Sequence, residues 1–302
     1  MSINLPQLYG QQFATNVELL LQQKTSRLRD AVTYKSGYRG KQVSPVDQLG
    51  QVEMLPVIGQ FPPIGRVDAA VDRRWVAPLA FDLPQLVDTF DKLKVLSDPQ
   101  SSYLTNAIQG ANRKFDDLII AAFTAAAQTG ETGATSTPIL AGNTVSVNLG
   151  GTASNMNVDK LKRGVRLLRA SEVDPDDPIF CAISAIEEES LLNEITITSQ
   201  DYNPMGGPGN LPVLREGRLE RFLGVQFIHS ERLVVGTDDA AGQSRSCPMW
   251  AKSGMHLAVW ADVNTDVSQR KDIAGQPWQV YIYMMANATR LEEKKVVRIW
   301  AR

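Results

Sequence analysis

The sequence predicts an α+β fold, arranged as one large domain or two ordinary ones. Helical and strand-like segments alternate irregularly along the chain, without the regular strand–helix–strand repeats of a parallel sheet. The length of 302 residues is enough for one large domain or two of about 100–200 residues each. Hydrophobic residues make up 43% of the chain and charged residues 21%, so the chain as a whole is not disordered.

Charge and cysteine content exclude several classes of protein. The 31 Lys and Arg residues nearly balance the 33 Asp and Glu residues, which argues against a dedicated nucleic-acid-binding protein with a dominant basic surface. Cys181 and Cys247 form no C-x-x-C pattern, as in a chain made in a reducing cytosol. No secretory signal and no membrane-spanning apolar run is present in the sequence, so we expect no membrane partner.

Residues 15–32 are predicted to form an amphipathic helix. Their apolar side chains recur at helical spacing, and Thr15 and Asn16 are suitable caps. Residues 24–41 then contain six basic residues and one acidic residue. This excess indicates either a solvated face or a surface for an acidic partner or nucleic acid.

Residues 34–82 differ from the rest of the chain because glycine and proline each occur five times among them. This density excludes a helix and predicts turns between short strands, such as residues 51–58 and 73–81. A segment of this length without its own core is unusual inside a compact domain. We therefore interpret it as a projecting loop or a long hairpin that binds a partner.

The longest predicted helix covers residues 98–127. Asp98 is a suitable cap, Pro99 suits the first helical position, and apolar residues recur at helical spacing along the segment until Gly130 ends it. At 1.5 Å per residue the helix would be about 45 Å long. A helix of this length can serve as the spine of a domain.

The second half of the chain is predicted to mix shorter helices with strands. Asn157 caps a helix over residues 158–171, and Ser184 forms with Glu187 a capping box that opens another helix. The predicted strands are residues 144–149, 179–183, 224–229, 256–263, 279–290 and 295–300.

The motifs tested for catalysis do not predict an enzyme. The sequence between Gly37 and Lys41 lacks the spacing of a P-loop and the Ser or Thr that should follow the lysine. His229 and His256, the only histidines, fall in predicted strands, and no G-x-S-x-G motif presents a serine to them. The acidic turn at residues 174–178 lacks the glycine and glutamate of a calcium loop. We predict no catalytic residue, no cofactor and no metal.

Two stretches of sequence carry a family resemblance. Residues 17–29 read VELLLQQKTSRLR, and residues 209–233 read GNLPVLREGRLERFLGVQFIHSERL. Together with the order of features, from a basic N-terminal segment through a Gly/Pro-rich loop and a long helix to returning C-terminal strands, they resemble the major capsid protein of tailed bacteriophages with the Hong Kong 97-like fold.

The resemblance implies a division of the chain into four parts. Residues 1–33 would form an N-terminal arm and residues 34–82 an extended loop that reaches over a neighbouring subunit. Residues 83–150 and 271–302 would form a peripheral domain around the spine helix, and residues 151–270 an axial domain.

The resemblance also implies a function in assembly. The protein would assemble with itself, as hexamers and pentamers, into an icosahedral shell around a double-stranded DNA genome. Expected partners are a scaffolding protein, a portal, a decoration protein and the packaged DNA through non-specific contacts. The expected location is the virion, after synthesis in the host bacterial cytoplasm.

We predict two sets of contact residues for this function. The candidates for the subunit interface are Arg39, Lys41, Arg66, Arg73, Arg74 and Trp75. The candidates that face the genome or a scaffold are Lys24, Arg27 and Arg29. An encapsulin-type compartment shell, a soluble hydrolase of unknown type and a phage tail or connector protein stay open as alternatives.

Overall fold

The computed structural model describes residues 22–56, 59, 64–87, 100–194, 219–236 and 244–302. The chain divides into two compact units. The first unit draws its described residues from Met1–Thr25, Ala80–Arg113 and Asp262–Met284. The second unit draws them from Ser26–Leu79, Lys114–Ala261 and Met285–Arg302.

Three α-helices lie within the described residues: α1 (Gln100–Thr124), α2 (Val158–Ala170) and α3 (Ala185–Leu192). Helix α1 confirms the predicted spine helix, although it ends at Thr124 and its predicted cap lies outside the described residues. Helices α2 and α3 begin where their capping residues predicted. Asn157 accepts a hydrogen bond from the backbone N–H of Lys160, and both halves of the Ser184 and Glu187 capping box are formed.

The helix predicted for residues 15–32 is wrong over its described part. Residues 22–32 contain only one short 3-10 turn, Arg29–Ala31. The reason is a competing side chain, because the backbone N–H groups of Arg27 and Leu28 both donate to the carboxylate of Asp116. Residues 15–21 lie outside the described residues.

Fourteen strands occur in the described chain. They are β1 (Thr33–Ser36), β2 (Asp47–Leu49), β3 (Val71–Trp75), β4 (Leu79–Val87), β5 (Ala127–Thr129), β6 (Thr135–Thr137), β7 (Thr144–Val145), β8 (Ile179–Ile183), β9 (Arg221–Phe222), β10 (Val225–His229), β11 (Arg245–Ala251), β12 (Met255–Gln269), β13 (Trp278–Arg290) and β14 (Val296–Ala301).

The strands form three sheets. Two have four strands, in the orders β1-β12-β13-β4 and β2-β3-β5-β6, and one has six, in the order β7-β14-β11-β8-β10-β9. In the six-stranded sheet β8 and β10 are parallel, whereas β11 runs antiparallel to both β8 and β14. Parallel and antiparallel pairs alongside separate helices make this an α+β fold.

The six-stranded sheet is covered on both faces within the second unit. A side chain at Gly164 of α2 would lie only 3.1 Å from atoms of Met249 and Ile299, so α2 packs closely on one face. Trp250, which follows Met249 in β11, points to the other face of the sheet, because side chains alternate along a strand. There its indole N–H donates to the carbonyl of Ala31 at 2.8 Å, and its ring lies 4.5 Å from that of Phe123 in α1.

Several strand assignments from the sequence need correction. The strand predicted for residues 73–81 is interrupted between β3 and β4, and the strand predicted for residues 144–149 is limited to β7. Strand β11, which lies inside the six-stranded sheet, was not predicted, because Pro248 and the polar residues before it hide the strand pattern. The strand predicted for residues 51–58 is absent from residues 51–56, which have no regular structure.

Candidate functional site

The Gly/Pro-rich segment contains an antiparallel hairpin formed by β2 and β3. Asp47 pairs with Arg73 and Leu49 with Val71, and the ladder continues as far as a hydrogen bond from Gly50 N–H to the Ala70 carbonyl. We call residues 43–49 and 71–76 the hairpin base. The described residues from 50 to 70 between these strands are the hairpin tip.

The hairpin base is fixed by a buried ion pair. Arg74 donates from both terminal nitrogens to the carboxylate of Glu293, at 2.7 and 2.6 Å. Its Nε donates to the side-chain oxygen of Gln48 at 3.2 Å, and the amide of Gln48 donates in turn to the Leu291 carbonyl. The side chains of Arg74 and Glu293 are only 5% and 13% exposed. The paired geometry and low exposure make this a strong contact.

A second set of contacts joins the base to the turn after β5. The indole N–H of Trp75 donates to the Gly130 carbonyl at 2.7 Å, and the N–H of Gly130 donates to Asp72 at 3.0 Å. Gly133 lies against the same indole with a φ of +76°, and a Cβ there would meet the Trp75 ring at 2.9 Å. The turn therefore requires glycine for both its backbone conformation and its close approach.

The hairpin tip has the opposite character, because its apolar side chains face solvent. Met54 and Ile64 are fully exposed, and their neighbours are more than half or nearly half exposed. The exposed apolar residues of the tip are Val52, Met54, Leu55, Ile64 and Val67. A soluble subunit rarely exposes so many apolar groups close together unless another surface covers them.

The start of the loop is attached to β12 by an aromatic cluster. The Tyr38 hydroxyl lies 3.1 Å from Nε2 of His256, and the two rings meet edge to face. The indole N–H of Trp260 donates to the Gly40 carbonyl at 3.1 Å. Burial, and to a lesser extent the nearby charge of Lys35, lowers the pKa of His256 to about 4. This histidine is therefore neutral at ordinary pH.

The structure places the predicted interface residues in different environments. Arg39 and Lys41 are exposed beyond β1. Arg66 is exposed in the tip and pairs with Asp68 at 2.7 Å. The other three residues lie in β3, where Arg73 pairs with Asp47 at 2.5 Å, Arg74 is buried against Glu293, and Trp75 is half-buried. Arg74 and Trp75 thus bind partners inside their own subunit, a role that sequence reasoning missed.

Two of the predicted genome-facing residues, Arg27 and Arg29, lie in the segment that Asp116 holds. This fully buried carboxylate accepts hydrogen bonds from the Ser26 hydroxyl at 2.6 Å and from the backbone of the next two residues. Arg27 donates to the carbonyl of His229 at 2.7 Å, and its Nη1 lies 2.8 Å from the ring Nδ1 of that histidine. These contacts fix the segment on the second unit.

The two other residues of that set differ in exposure. The Arg29 guanidinium lies 4.4 Å from the ring centroid of Tyr34 and 5.1 Å from that of Phe115. Lys24 is exposed. The arginine is therefore engaged with aromatic rings of its own chain, whereas the lysine side chain is exposed.

The described residues contain no group of acidic, histidine and cysteine side chains suited to hold a metal ion. Both cysteines are buried, and burial raises the pKa of each thiol. Among the helices that the structure describes, none is long and apolar enough to cross a membrane.

Comparison with known proteins shows which protein family the chain belongs to. The sequence profile of the phage capsid protein family matches residues 5–301. The chain belongs to the phage capsid protein family. No curated protein sequence matches it.

Solved structures confirm the expected fold of this phage capsid protein. The capsid of cyanophage Pam1 has a TM-score of 0.75 at 12% identity, over 97% of this chain and 96% of that chain. The capsid of Ralstonia phage GP4 has a TM-score of 0.74 at 11% identity, over 97% and 95%. The capsid of Helicobacter pylori bacteriophage KHP30 has a TM-score of 0.72 at 11% identity, over 99% and 98%. The Hong Kong 97-like α+β prediction is thus confirmed.

The family assignment also gives the phage capsid protein its role. It is a structural protein that associates with itself and forms the shell of the virion. The encapsulin and hydrolase alternatives are not favoured.

Proposed function

We propose that this phage capsid protein is the major subunit of an icosahedral shell around a double-stranded DNA genome, and that its hairpin lies on a neighbouring subunit. The observation that carries the proposal is the exposed apolar tip on a firmly held base. Burial of those side chains against a second copy would supply hydrophobic stabilisation that the free subunit lacks. Symmetry then repeats the contact around the shell.

Charged residues of the hairpin tip and of the segment between β1 and the hairpin base are proposed to orient this contact. Arg39 and Lys41 are exposed, and within the described residues neither forms an ion pair. Arg66 is exposed at the tip itself. Exposed charges of this kind add more to the specificity and rate of docking than to its affinity.

The predicted division into arm, loop, peripheral domain and axial domain remains part of the proposal. So do the scaffolding protein, the portal, the decoration protein and the packaged DNA as partners. For the genome or scaffold, exposed Lys24 is the best supported of the three predicted contact residues. Synthesis in the reducing bacterial cytoplasm is supported by two free, buried cysteines.

Deletion of the tip tests the hairpin contact. The Gly50 N–H lies 2.6 Å from the Ala70 carbonyl, so two or three glycines can replace residues 51–69 and leave the base closed. We expect a soluble, folded subunit that forms no shells. Intact shells of this variant in electron micrographs would refute the proposed contact.

A substitution variant tests the same contact without a deletion. Met54→Ser with Ile64→Ser removes two side chains that are fully exposed in the subunit. We expect normal folding and a lower yield of shells. Leu140→Ser, at an exposed leucine outside the hairpin, is the matched control and should assemble normally.

Protease sensitivity gives an independent readout. Trypsin cleaves after arginine, and the Arg66 side chain is 85% exposed in a loop tip of the kind that proteases attack. We expect cleavage at Arg66 in free subunits and protection in shells. Equal cleavage in both states would contradict coverage by a neighbour.

A further inference from the structure

Helix α2 presents a row of exposed basic side chains that the proposed hairpin contact does not use. The row consists of Lys162, Arg163, Arg166 and Arg169, all exposed. Their spacing of three and four residues places them near one another on the outward side of the helix. Lys162 lies 3.5 Å from Asp159, whereas the three arginines form no ion pair among the described residues.

The inward side of α2 holds this row firmly in place. Leu161, Val165 and Leu168 are buried, and Gly164 allows the helix to approach the sheet closely. The buried ammonium of Lys160 donates to the Trp300 carbonyl at 2.9 Å. Like charges at these spacings repel each other and weaken a helix. An anionic partner would reduce this repulsion and so stabilise α2.

Exposed acidic side chains lie at the other end of the same sheet. Helix α2 packs on β7, β14 and β11, at one end of the strand order. At the other end, Glu188 of α3 accepts from Leu219 N–H just before β9, at 3.1 Å. Glu189 of α3 and Glu220 beside β9 are both exposed, and neither forms an ion pair within the described chain.

The first turn of α2 contacts the residue that follows the C-terminal Asn193 cap of α3. Glu194, just after α3, lies 3.4 Å from the backbone N–H of Val158, the first residue of α2. The basic row follows in the later turns of α2. Within the described residues, the arginines of the row form no ion pair with Glu189 or Glu220 of the same subunit.

We propose that the basic row of α2 pairs with Glu189 and Glu220 of the next copy around a capsomer. A head-to-tail ring requires two different surfaces on each subunit that complement each other. Opposite charges at the two ends of one sheet meet this requirement, and charge complementarity fixes the order and orientation of the copies. The inference rests on the proposed shell, because it names a contact that closes each ring of that shell.

Charge reversal and its rescue test the pairing. In the reaction where the wild-type full-length chain forms shells, Arg166→Glu with Arg169→Glu should lower the yield at least about tenfold, and so should Glu189→Arg with Glu220→Arg. The variant that combines all four changes should recover most of the yield. Sedimentation and electron microscopy measure the particles.

Controls separate this test from effects on folding and from the proposed shell itself. Circular dichroism and thermal unfolding should match wild type, since all four positions are exposed. Lys294→Glu, at an exposed lysine that lies in neither α2 nor α3, should assemble normally. If the wild-type chain forms no particles under any condition, the proposed shell fails, whereas the other outcomes concern the pairing alone.

Three results would overturn the pairing. The first is a normal shell yield from Arg166→Glu with Arg169→Glu. The second is loss of shells in both double variants without recovery in the combined variant. The third is normal shells with a reduced DNA content, which would assign the basic row to the genome and not to a second copy.

Discussion

The base and the tip of the hairpin belong to one continuous segment but are stabilised in opposite ways. The base is held by the buried Arg74 and Glu293 pair and by the Trp75 contact with the Gly130 turn. The tip exposes Met54 and Ile64 fully to solvent. Contacts within the subunit therefore hold the base, whereas the described apolar side chains of the tip are exposed, and we propose that a neighbouring subunit covers them.

Removal of the buried charge at the base should have the largest effect on stability. Arg74→Ala leaves the carboxylate of Glu293 nearly buried without its partner, so we expect a loss of about 3–5 kcal/mol in the free energy of unfolding. Urea denaturation measures the loss. Arg74→Lys, which keeps the charge but not the paired geometry, should lie between the variant and wild type. A loss below about 1 kcal/mol would show that the pair behaves like a surface ion pair.

Crowding of the turn that supports the base should have the next largest effect. Gly133→Ala places a Cβ 2.9 Å from the Trp75 ring at a φ of +76°, and we expect a loss of about 2 kcal/mol. Gly142→Ala, where nothing lies within 4 Å, is the control and should change stability little. Equal stability of the two variants would show that the turn accommodates the added methyl group without loss of free energy of unfolding.

The exposed ion pair of the base should have a small, pH-dependent effect. The hydrogen bond from Arg73 lowers the pKa of Asp47. A lowered pKa adds stability above the usual pKa of an aspartate, and this stability is lost as the pH falls through the lowered value. We expect Asp47→Asn to flatten the acid side of the curve of unfolding free energy against pH. An identical curve for the variant would contradict this.

Changes at the tip should have the smallest effect on the stability of the subunit. Met54→Ser with Ile64→Ser removes side chains that make no buried contact, so the free energy of unfolding should stay within about 0.5 kcal/mol of wild type. Thermal unfolding of unassembled subunits measures it. A larger loss would mean that the tip is supported by its own subunit, and the contrast with the base would fail.

Local patterns predicted much of the fold. Strand β8 and helices α2 and α3 follow from a short apolar run and two capping signals, which act over a few residues. Strand β11 was missed because Pro248 breaks the pattern, although Pro248 lies opposite Arg298 in the register with β14. Local spacing is thus informative where neighbours in sequence decide the conformation.

The site was harder to predict because its contacts join distant residues. Arg74 was recognised as a charged residue of the loop, but its partner Glu293 lies 219 positions away. Over residues 22–32 the predicted helix is wrong for the same reason, since Asp116 competes for the backbone N–H groups. Exposure of the tip, in contrast, follows from its composition, because a Gly/Pro-rich segment has few residues with which to build a core.

The attachment of Ser26 to Asp116 has a consequence for synthesis. The two residues are 90 positions apart, and ribosomes add about 5–20 residues per second. The N-terminal segment therefore leaves the ribosome roughly 5–20 s before its binding site in α1 does. During that interval the first part of the capsid subunit exists without the carboxylate that will hold it.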